Sequence, residues 1–181
     1  MRKLQTALGI LLGGCLMSSA PQDPATPATD PTVIVGTFDS RAVLMAYVRS
    51  PAFSDYVAAQ KKDIGAAIAR AREVGDHELI AELEALGPEM QNRIHRQGFG
   101  TAPIDDVLAR IEDRLPKIAE TAGVDVIVSK WQLAYQSPTA RFVDVTDQLA
   151  AEFAPDEATR KVIEQIKTKD PVPLEELKKH Q

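Results

Sequence analysis

Two short runs of β-branched residues, far apart in the chain, constrain the fold more than any other feature of this sequence. The first is Val33 to Phe38, and the second is Val126 to Val128, which is bounded by Gly123 and Lys130. Runs of this length and composition are typical of largely buried strands. We expect the two to lie side by side in one small sheet, with the helical segment between them pushed outward as a projecting limb.

The residues after the second run predict the rest of the sheet. Leu133 to Tyr135 is predicted to be a further strand, the Gln136 to Thr139 cluster a turn, and Phe142 to Val145 another strand. Thr146 is the predicted N-cap of a helix beginning at Asp147, whose carboxylate suits the positive end of the helix dipole. The inward side of that helix would carry Leu149, Ala150 and Phe153.

Helical periodicity dominates the segment between the two runs. Asp39 or Ser40 can cap a short first helix, which Ser50-Pro51 interrupts. Residues 53–97 then carry apolar or small residues at heptad-like spacing on both sides of Gly75. This pattern predicts an antiparallel helical-hairpin arm with its tip at that glycine.

Prolines and glycines divide the chain beyond the tip. Gly87-Pro88 should bend or break the second arm helix, because proline removes a helical hydrogen bond. Thr101 is the predicted cap of a third helix that Pro116 bends and Gly123 ends. This helix has the best apolar periodicity in the chain, so we expect it to pack on the sheet. Residues 154–181 are predicted to form one more helix and a loose, charged tail.

The N-terminal residues 1–20 have the composition of a signal peptide. Arg2 and Lys3 provide its positive start, and Leu4 to Met17 is apolar but too short to span a membrane. The following residues, 21–32, contain four prolines among small polar residues and are predicted to be an extended linker. These segments place the mature protein in the periplasm.

Two processing routes compete within this signal. Ser18 to Ala20 could form a small-residue cleavage site, but Pro21 would follow the cut and obstruct the peptidase. Leu12 to Cys15 instead resembles a bacterial lipobox, in which Cys15 becomes the lipidated first residue, and we favour this route. Firm anchoring would follow from several acyl chains, because each buried methylene contributes about 0.8 kcal/mol. Leu16 after the cysteine points to the outer membrane.

Composition and motifs argue against nucleic acid, metals and catalysis. The net charge is −5 and no basic stripe is present, whereas phosphate contacts need clustered Lys and Arg. His77, His95 and His180 have no other ligand at metal-binding spacing. The sequence has no nucleophile elbow, P-loop or dinucleotide-binding glycine motif. We therefore expect a non-enzymatic protein without a cofactor.

Four segments of this sequence resemble the OmpH/Skp family of periplasmic chaperones: residues 33–39, 124–128, 134–135 and 143–146. The resemblance implies an α+β fold over residues 33–153, in which a small β-sheet body carries an inserted helical-hairpin arm. It also implies a homotrimer that acts as an ATP-independent holdase for unfolded outer-membrane or envelope proteins. Passive binding of this kind needs no cofactor.

The chain departs from the family in its arm, which is shorter and is acidic where family arms are often basic. Residues 50–116 carry eight Lys or Arg and twelve Asp or Glu, a net charge of −4. Trp131 and Tyr135 are expected in the body core or at oligomer contacts. Client binding requires adaptable apolar surface on the arm. The candidate residues could equally serve to pack the two helices of the hairpin together. They are Phe53, Tyr56, Ile68, Ile80, Met90 and Phe99.

An alternative function is compatible with the same sequence. The chain could keep this fold as a non-catalytic envelope lipoprotein that acts as an oligomeric scaffold or adaptor. A scaffold would bind one folded partner, whereas a holdase would suppress aggregation of unfolded proteins.

Overall fold

The computed structural model describes residues 33–177 of the chain. The predicted signal peptide, the lipobox with Cys15, the Pro-rich linker and His180 lie outside the described residues. The described part is a mixed α and β fold, in agreement with the predicted class. None of its helices is long and apolar enough to cross a membrane.

A parallel sheet of three strands, in the order β2-β1-β3, lies at the centre of the fold. The strands are β1 (Ile34–Phe38), β2 (Val126–Ser129) and β3 (Arg141–Asp144). Val35 lies beside Val126 on one side and beside Phe142 on the other. The predicted pairing of the two distant β-branched runs is therefore confirmed.

The helices pack around one apolar core. They are α1 (Ser40–Val48), α2 (Pro51–Val74), α3 (His77–Gly98), α4 (Asp105–Leu108), α5 (Leu115–Ala122), α6 (Thr146–Ala151), α7 (Glu157–Lys167) and α8 (Leu174–Leu177). Two 3₁₀ helices cover Ala109–Arg114 and Lys130–Gln132. Burial is strongest in α1, where Asp39 forms the predicted N-cap.

One face of the sheet packs on this core. Gly36 and Phe38 of β1 are buried there, and Ile34, Ile127 and Val143 pack against the same apolar cluster. A Cβ on Gly36 would lie 3.1 Å from Val124 Cγ2 and 3.2 Å from the Val126 carbonyl oxygen. Glycine at this position therefore allows β2 to lie close against β1.

The predicted strand Leu133 to Tyr135 is wrong. After β2 the chain enters a 3₁₀ turn at Lys130–Gln132 and continues without regular structure to β3. Since β2 and β3 lie on opposite sides of β1 and run parallel, the chain must cross the sheet between them. Leu133 to Tyr135, which we predicted to form a strand, belong to this crossing segment instead. Tyr135 is 78% exposed there.

The prediction of one continuous third helix from Thr101 to Gly123 is also wrong. Residues 99–104 close the end of α3, because the Ala102 N–H donates to the Arg96 carbonyl at 3.4 Å. Helical structure begins only at Asp105, without a side-chain cap, so Thr101 is not the N-cap. Non-helical backbone at Ile111 (φ −128°, ψ 20°) then divides the segment. The predicted packing on the sheet side is confirmed, because Ile104, Val107, Ile111 and Ile118 are all buried in the core.

Two smaller expectations also change. Thr146 lies inside the first turn of α6, and its hydroxyl accepts a hydrogen bond from the Asp39 N–H at 3.0 Å instead of capping its own helix. The predicted loose tail, Leu174 to Gln181, begins with the short helix α8, and residues after Leu177 lie outside the described part of the chain. The Val172 N–H donates to the Phe99 carbonyl at 2.8 Å, and α8 follows directly.

Ala154 adopts a left-handed conformation with φ 49°, which disfavours any residue with a Cβ. We expect Ala154→Gly to raise the free energy of unfolding by about 1 kcal/mol, because glycine relieves this strain. Ala58→Gly, at an exposed position inside α2, should lower it by about 1 kcal/mol. Urea unfolding followed by circular dichroism would measure both, and destabilisation by Ala154→Gly would contradict the strained turn.

Candidate functional site

The two longest helices, α2 and α3, meet at a two-residue turn that the sequence predicts correctly. Gly75 has φ 73° and ends α2, and the Asp76 carboxylate accepts from the Leu79 N–H at 3.0 Å at the start of α3. Pro88 does not break α3, which continues to Gly98. Ile94, beyond the proline, packs against the core, and this packing helps to hold the helix across the missing hydrogen bond.

A groove of about 530 Å³ runs between these two helices. Its apolar part contains the half-buried residues Val57, Ile64 and Met90. The full lining is Tyr56, Val57, Gln60, Lys61 and Ile64 from α2, with Leu86, Gly87, Glu89, Met90, Asn92, Arg93 and Arg96 from α3. Three of these residues are cationic and one is acidic, although the surrounding segment is acidic overall.

At the base of the groove lies a cavity of about 200 Å³, where α1, the start of α2, the end of α3 and α4 meet. Tyr56, Met90 and Arg93 line both spaces, so the two adjoin. Tyr47 and Gln97, which are 4% and 3% exposed, also line the cavity.

Tyr47 Oη and Gln97 Oε1, two fully buried atoms of residues that line the cavity, have no hydrogen-bond partner among residues 33–177. The Gln97 amide is oriented by its Nε2, which donates to the Pro103 carbonyl at 2.9 Å and to Asp106 Oδ1 at 2.8 Å. Burial raises the pKa of Tyr47 above its ordinary value, so the hydroxyl stays protonated to a higher pH than in an exposed tyrosine. An unpaired buried polar atom costs about 1–3 kcal/mol, so such atoms are uncommon in folded proteins.

Arg110 borders the same cavity and joins the helical segment to the body. Its guanidinium carbon lies 4.8 Å from the ring centroid of Tyr47 and 4.6 Å from that of Tyr56. The Tyr47 ring also contacts Phe53 edge-on, at a centroid distance of 5.2 Å. These two cation–π contacts help to hold the start of α2 against α1.

The structure brings three of the six predicted client-binding residues together. Phe53, Tyr56 and Met90 line the cavity, although Phe53 also packs against the core. Ile68 and Ile80 are half-buried elsewhere on α2 and α3, and Phe99, at the end of α3, is 53% exposed. Sequence reasoning missed Tyr47, Gln97 and Arg110, because no local pattern predicts that a buried tyrosine and glutamine will face one space.

A second polar cluster lies where the three strands end. Asp39, 1% exposed, accepts from Arg41 Nη2 and Lys130 Nζ, both at 2.9 Å, and from Trp131 Nε1 at 3.2 Å. Arg41 also donates to the Ile166 and Lys169 carbonyls at 3.2 and 2.7 Å, which ties α7 to the sheet. Ligands often bind at this edge of parallel sheets. Here, however, the carboxylate is occupied by side chains of the protein itself.

The pKa of Asp39 reflects this environment. Burial would raise the pKa of the carboxyl, but the hydrogen bonds and positive charges of Arg41 and Lys130 outweigh burial and hold the pKa below its ordinary value. The aspartates beside the other strand ends act as local acceptors. Asp125 accepts from the Ile34 N–H and Asp144 from the Thr146 N–H, both at 2.8 Å. These aspartates therefore have structural roles at the ends of the strands.

Within residues 33–177, no group of three His, Cys, Asp or Glu side chains is placed to hold a metal ion. Comparison with known proteins found no matching family model, curated protein or solved structure. The candidate site therefore rests on its own geometry, which offers a groove with apolar walls and a cationic rim, and a smaller cavity at its base.

Asp39→Asn should lower the free energy of unfolding at pH 7 by about 3 kcal/mol, because it leaves a buried guanidinium without its counter-charge. The folded-state pKa of Asp39 is depressed, so its stabilisation is complete above about pH 4 and is lost as the pH falls through the folded-state value. The difference between the two proteins should therefore shrink below about pH 4. Urea unfolding between pH 7 and pH 2 would measure it. Asp55→Asn, at an exposed position, is the control, and an equal loss in both variants would contradict the role of the cluster.

Proposed function

We propose that this chain is a periplasmic, ATP-independent holdase of OmpH/Skp type that binds unfolded outer-membrane or envelope proteins. The observation that carries the proposal is the groove between α2 and α3, which combines half-buried apolar residues with an exposed cationic rim. An unfolded client presents apolar side chains to such a surface without the need for a cofactor or a catalytic group. Binding of this kind is passive and non-enzymatic.

The contacts of α2 with α3 support an antiparallel hairpin arm. Next to the turn, Arg72 of α2 pairs with Glu84 of α3 at 3.7 Å. Farther from the turn, residues 56–64 line the same groove as residues 86–96. Helices that run in opposite directions bring such equidistant residues together. The arm begins at the body, where Ser50 caps α2 with its hydroxyl 3.3 Å from the Phe53 nitrogen.

The uncovered face of the sheet supports self-association, and the resemblance to the family suggests a homotrimer. Val35, Val128 and Phe142 of this face are only half-buried, and Val126 is 48% exposed. Parallel sheets are ordinarily covered on both faces. Among the described residues, the crossing segment with Leu133 and Tyr135 lines a shallow pocket beside Thr37 and Phe142. Second and third copies of the chain would cover the rest.

The N-terminal sequence completes the proposal. A signal peptide would deliver the protein to the periplasm, and lipidation of Cys15 would anchor it to the outer membrane. The Pro-rich residues 21–32 would then separate the folded part from the bilayer.

The purified protein should suppress aggregation of an outer-membrane protein diluted from urea, at a near-stoichiometric ratio and without ATP. Val57→Asp should weaken suppression several-fold, because it places a negative charge among the apolar groove residues. Val74→Asp, which changes a 79% exposed residue of the same helix outside the groove lining, is the matched control. Light scattering would follow both. If the wild-type protein fails to suppress aggregation and instead captures one folded partner, the scaffold function replaces this proposal.

Native mass spectrometry of the mature protein should give the mass of three chains. Phe142→Glu should shift the protein to the mass of one chain, because a charge on the uncovered sheet face opposes its burial between copies. Leu79→Glu changes an exposed apolar residue of α3 and should leave the mass unchanged. A wild-type protein with the mass of one chain would contradict the trimer.

A further inference from the structure

Gly87 and Pro88 weaken α3 in the middle of its length. Pro88 has no N–H, so the Glu84 carbonyl lacks the helical hydrogen bond that this residue would otherwise donate. Gly87 lowers the helical stability of the same turn, because glycine has the greatest backbone freedom in the unfolded chain. Neither packing nor backbone conformation requires this glycine. A Cβ on Gly87 would have no described atom within 4 Å, and its φ lies outside the left-handed region.

Gly87 also interrupts the series of half-buried apolar residues along α3. The members of this series on either side of it are Ile80, Leu83, Met90 and Ile94, at alternating spacings of three and four residues. Position 87 falls on the same series, seven residues after Ile80 and seven before Ile94. At this level of the arm, α3 therefore has no side chain to pack against a neighbouring helix.

The other helix of the arm has a glycine at the same level. Ile64 and Gly87 line the same groove, and Gly65 follows Ile64 inside α2. A Cβ on Gly65 would also have no described atom within 4 Å. Gly65 lies ten residues before Gly75, and Gly87 lies eleven residues after Asp76. In the proposed antiparallel arrangement, the weak points of the two helices therefore coincide.

The parts of the arm on either side of this level are held more firmly. On the outer side, Ala71 is 2% exposed, and the left-handed Gly75 closes the turn between the helices. On the inner side, Ile94 packs against the core, and Gln97 Nε2 donates to Asp106 Oδ1 at 2.8 Å. Two firmly held parts joined by a weak level are the arrangement of a hinge.

We propose that Gly65 and Gly87-Pro88 form a hinge, at which residues 66–86 bend relative to the part of the arm that is packed on the body. Ile64, Leu86 and Gly87 line the groove at this level, so bending here changes the width of the groove. The hinge deepens the proposed holdase function, on which its role in client binding rests. A groove of variable width accommodates apolar segments of different sizes, as the adaptable surfaces of promiscuous binders do.

Amide hydrogen exchange of the full mature protein, followed by mass spectrometry, tests the hinge directly. The amides of residues 86–92 should exchange about tenfold faster than those of residues 78–84 and 94–97, because local opening costs the least free energy at the hinge. Simple fraying would instead give exchange that rises steadily from the body to the turn at Gly75. A steady rise of that kind would overturn the hinge.

Gly65→Ala and Pro88→Ala stiffen the hinge without changing a residue that lines the groove. Gly65→Ala should slow the exchange of residues 65–69 about fivefold, because alanine favours the helix over glycine. Pro88→Ala should slow the exchange of residues 86–92 at least about tenfold, because it restores the missing helical hydrogen bond. Glu82→Ala, at an exposed position of α3, is the matched control and should leave both rates unchanged. Equal exchange in Pro88→Ala and the wild-type protein would overturn the hinge.

The Gly65→Ala/Pro88→Ala double variant connects the hinge with client binding. It should suppress aggregation of an outer-membrane protein several-fold less well than the wild-type protein, and unchanged suppression would overturn the role of bending in client binding. Failure of the hinge and failure of the holdase function are distinguishable. If the wild-type protein suppresses aggregation but lacks the exchange maximum, the hinge is overturned and the function stands. If it shows the maximum but does not suppress aggregation, the hinge stands and the function is overturned.

Discussion

The fold depends on the pairing of β1 with two strands that follow it by about a hundred residues. Asp125 brings the start of β2 to β1 by accepting from the Ile34 N–H, with a separation of 91 residues. At the other end of β1, the Asp39 N–H donates to the Thr146 hydroxyl across 107 residues. Because the contacts at both ends of β1 are this distant, everything between Asp39 and Asp125 must leave the sheet and return to it. The long helices α2 and α3 lie within this excursion.

The Asp39 cluster consolidates that arrangement at the carboxyl ends of the strands. Its carboxylate holds one cation from α1 and another from the residue after β2, and Arg41 reaches on to the end of α7. Removing one partner from such a buried arrangement costs more than its formation contributes, because the remaining charge is left unpaired. The cluster therefore serves the architecture.

A cavity lies where the helical segment meets the body. Arg110, from the 3₁₀ helix after α4, contacts the rings of Tyr47 on α1 and Tyr56 on α2. Gln97, at the end of α3, is held by Pro103 and Asp106. Elements from four parts of the chain thus enclose one cavity at the foot of the groove.

Local chemistry in the sequence was sufficient to predict the strands β1 and β3, the cap at Asp39 and the turn at Gly75. Each depends on neighbours within a few residues, such as the left-handed glycine that ends α2. The paired runs of Val and Ile also predicted which strands meet. Heptad spacing predicted two long helices on either side of Gly75, and three of the six apolar candidates line the cavity at the base of the groove between these helices.

The other features of the fold were decided by the tertiary structure alone. They depend on contacts between residues that are distant in the sequence, and no local sequence pattern predicts such contacts. The course of the chain from 133 to 140 follows from the position of β1 between its two partners, which overrides the local strand propensity of Leu133 to Tyr135. The segment after Thr101 is not one helix, because its first residues close the end of α3 and its later residues fill the core. Tyr47 and Gln97 line the same cavity because α1 and α3 pack together, and no local pattern in the sequence predicts that packing.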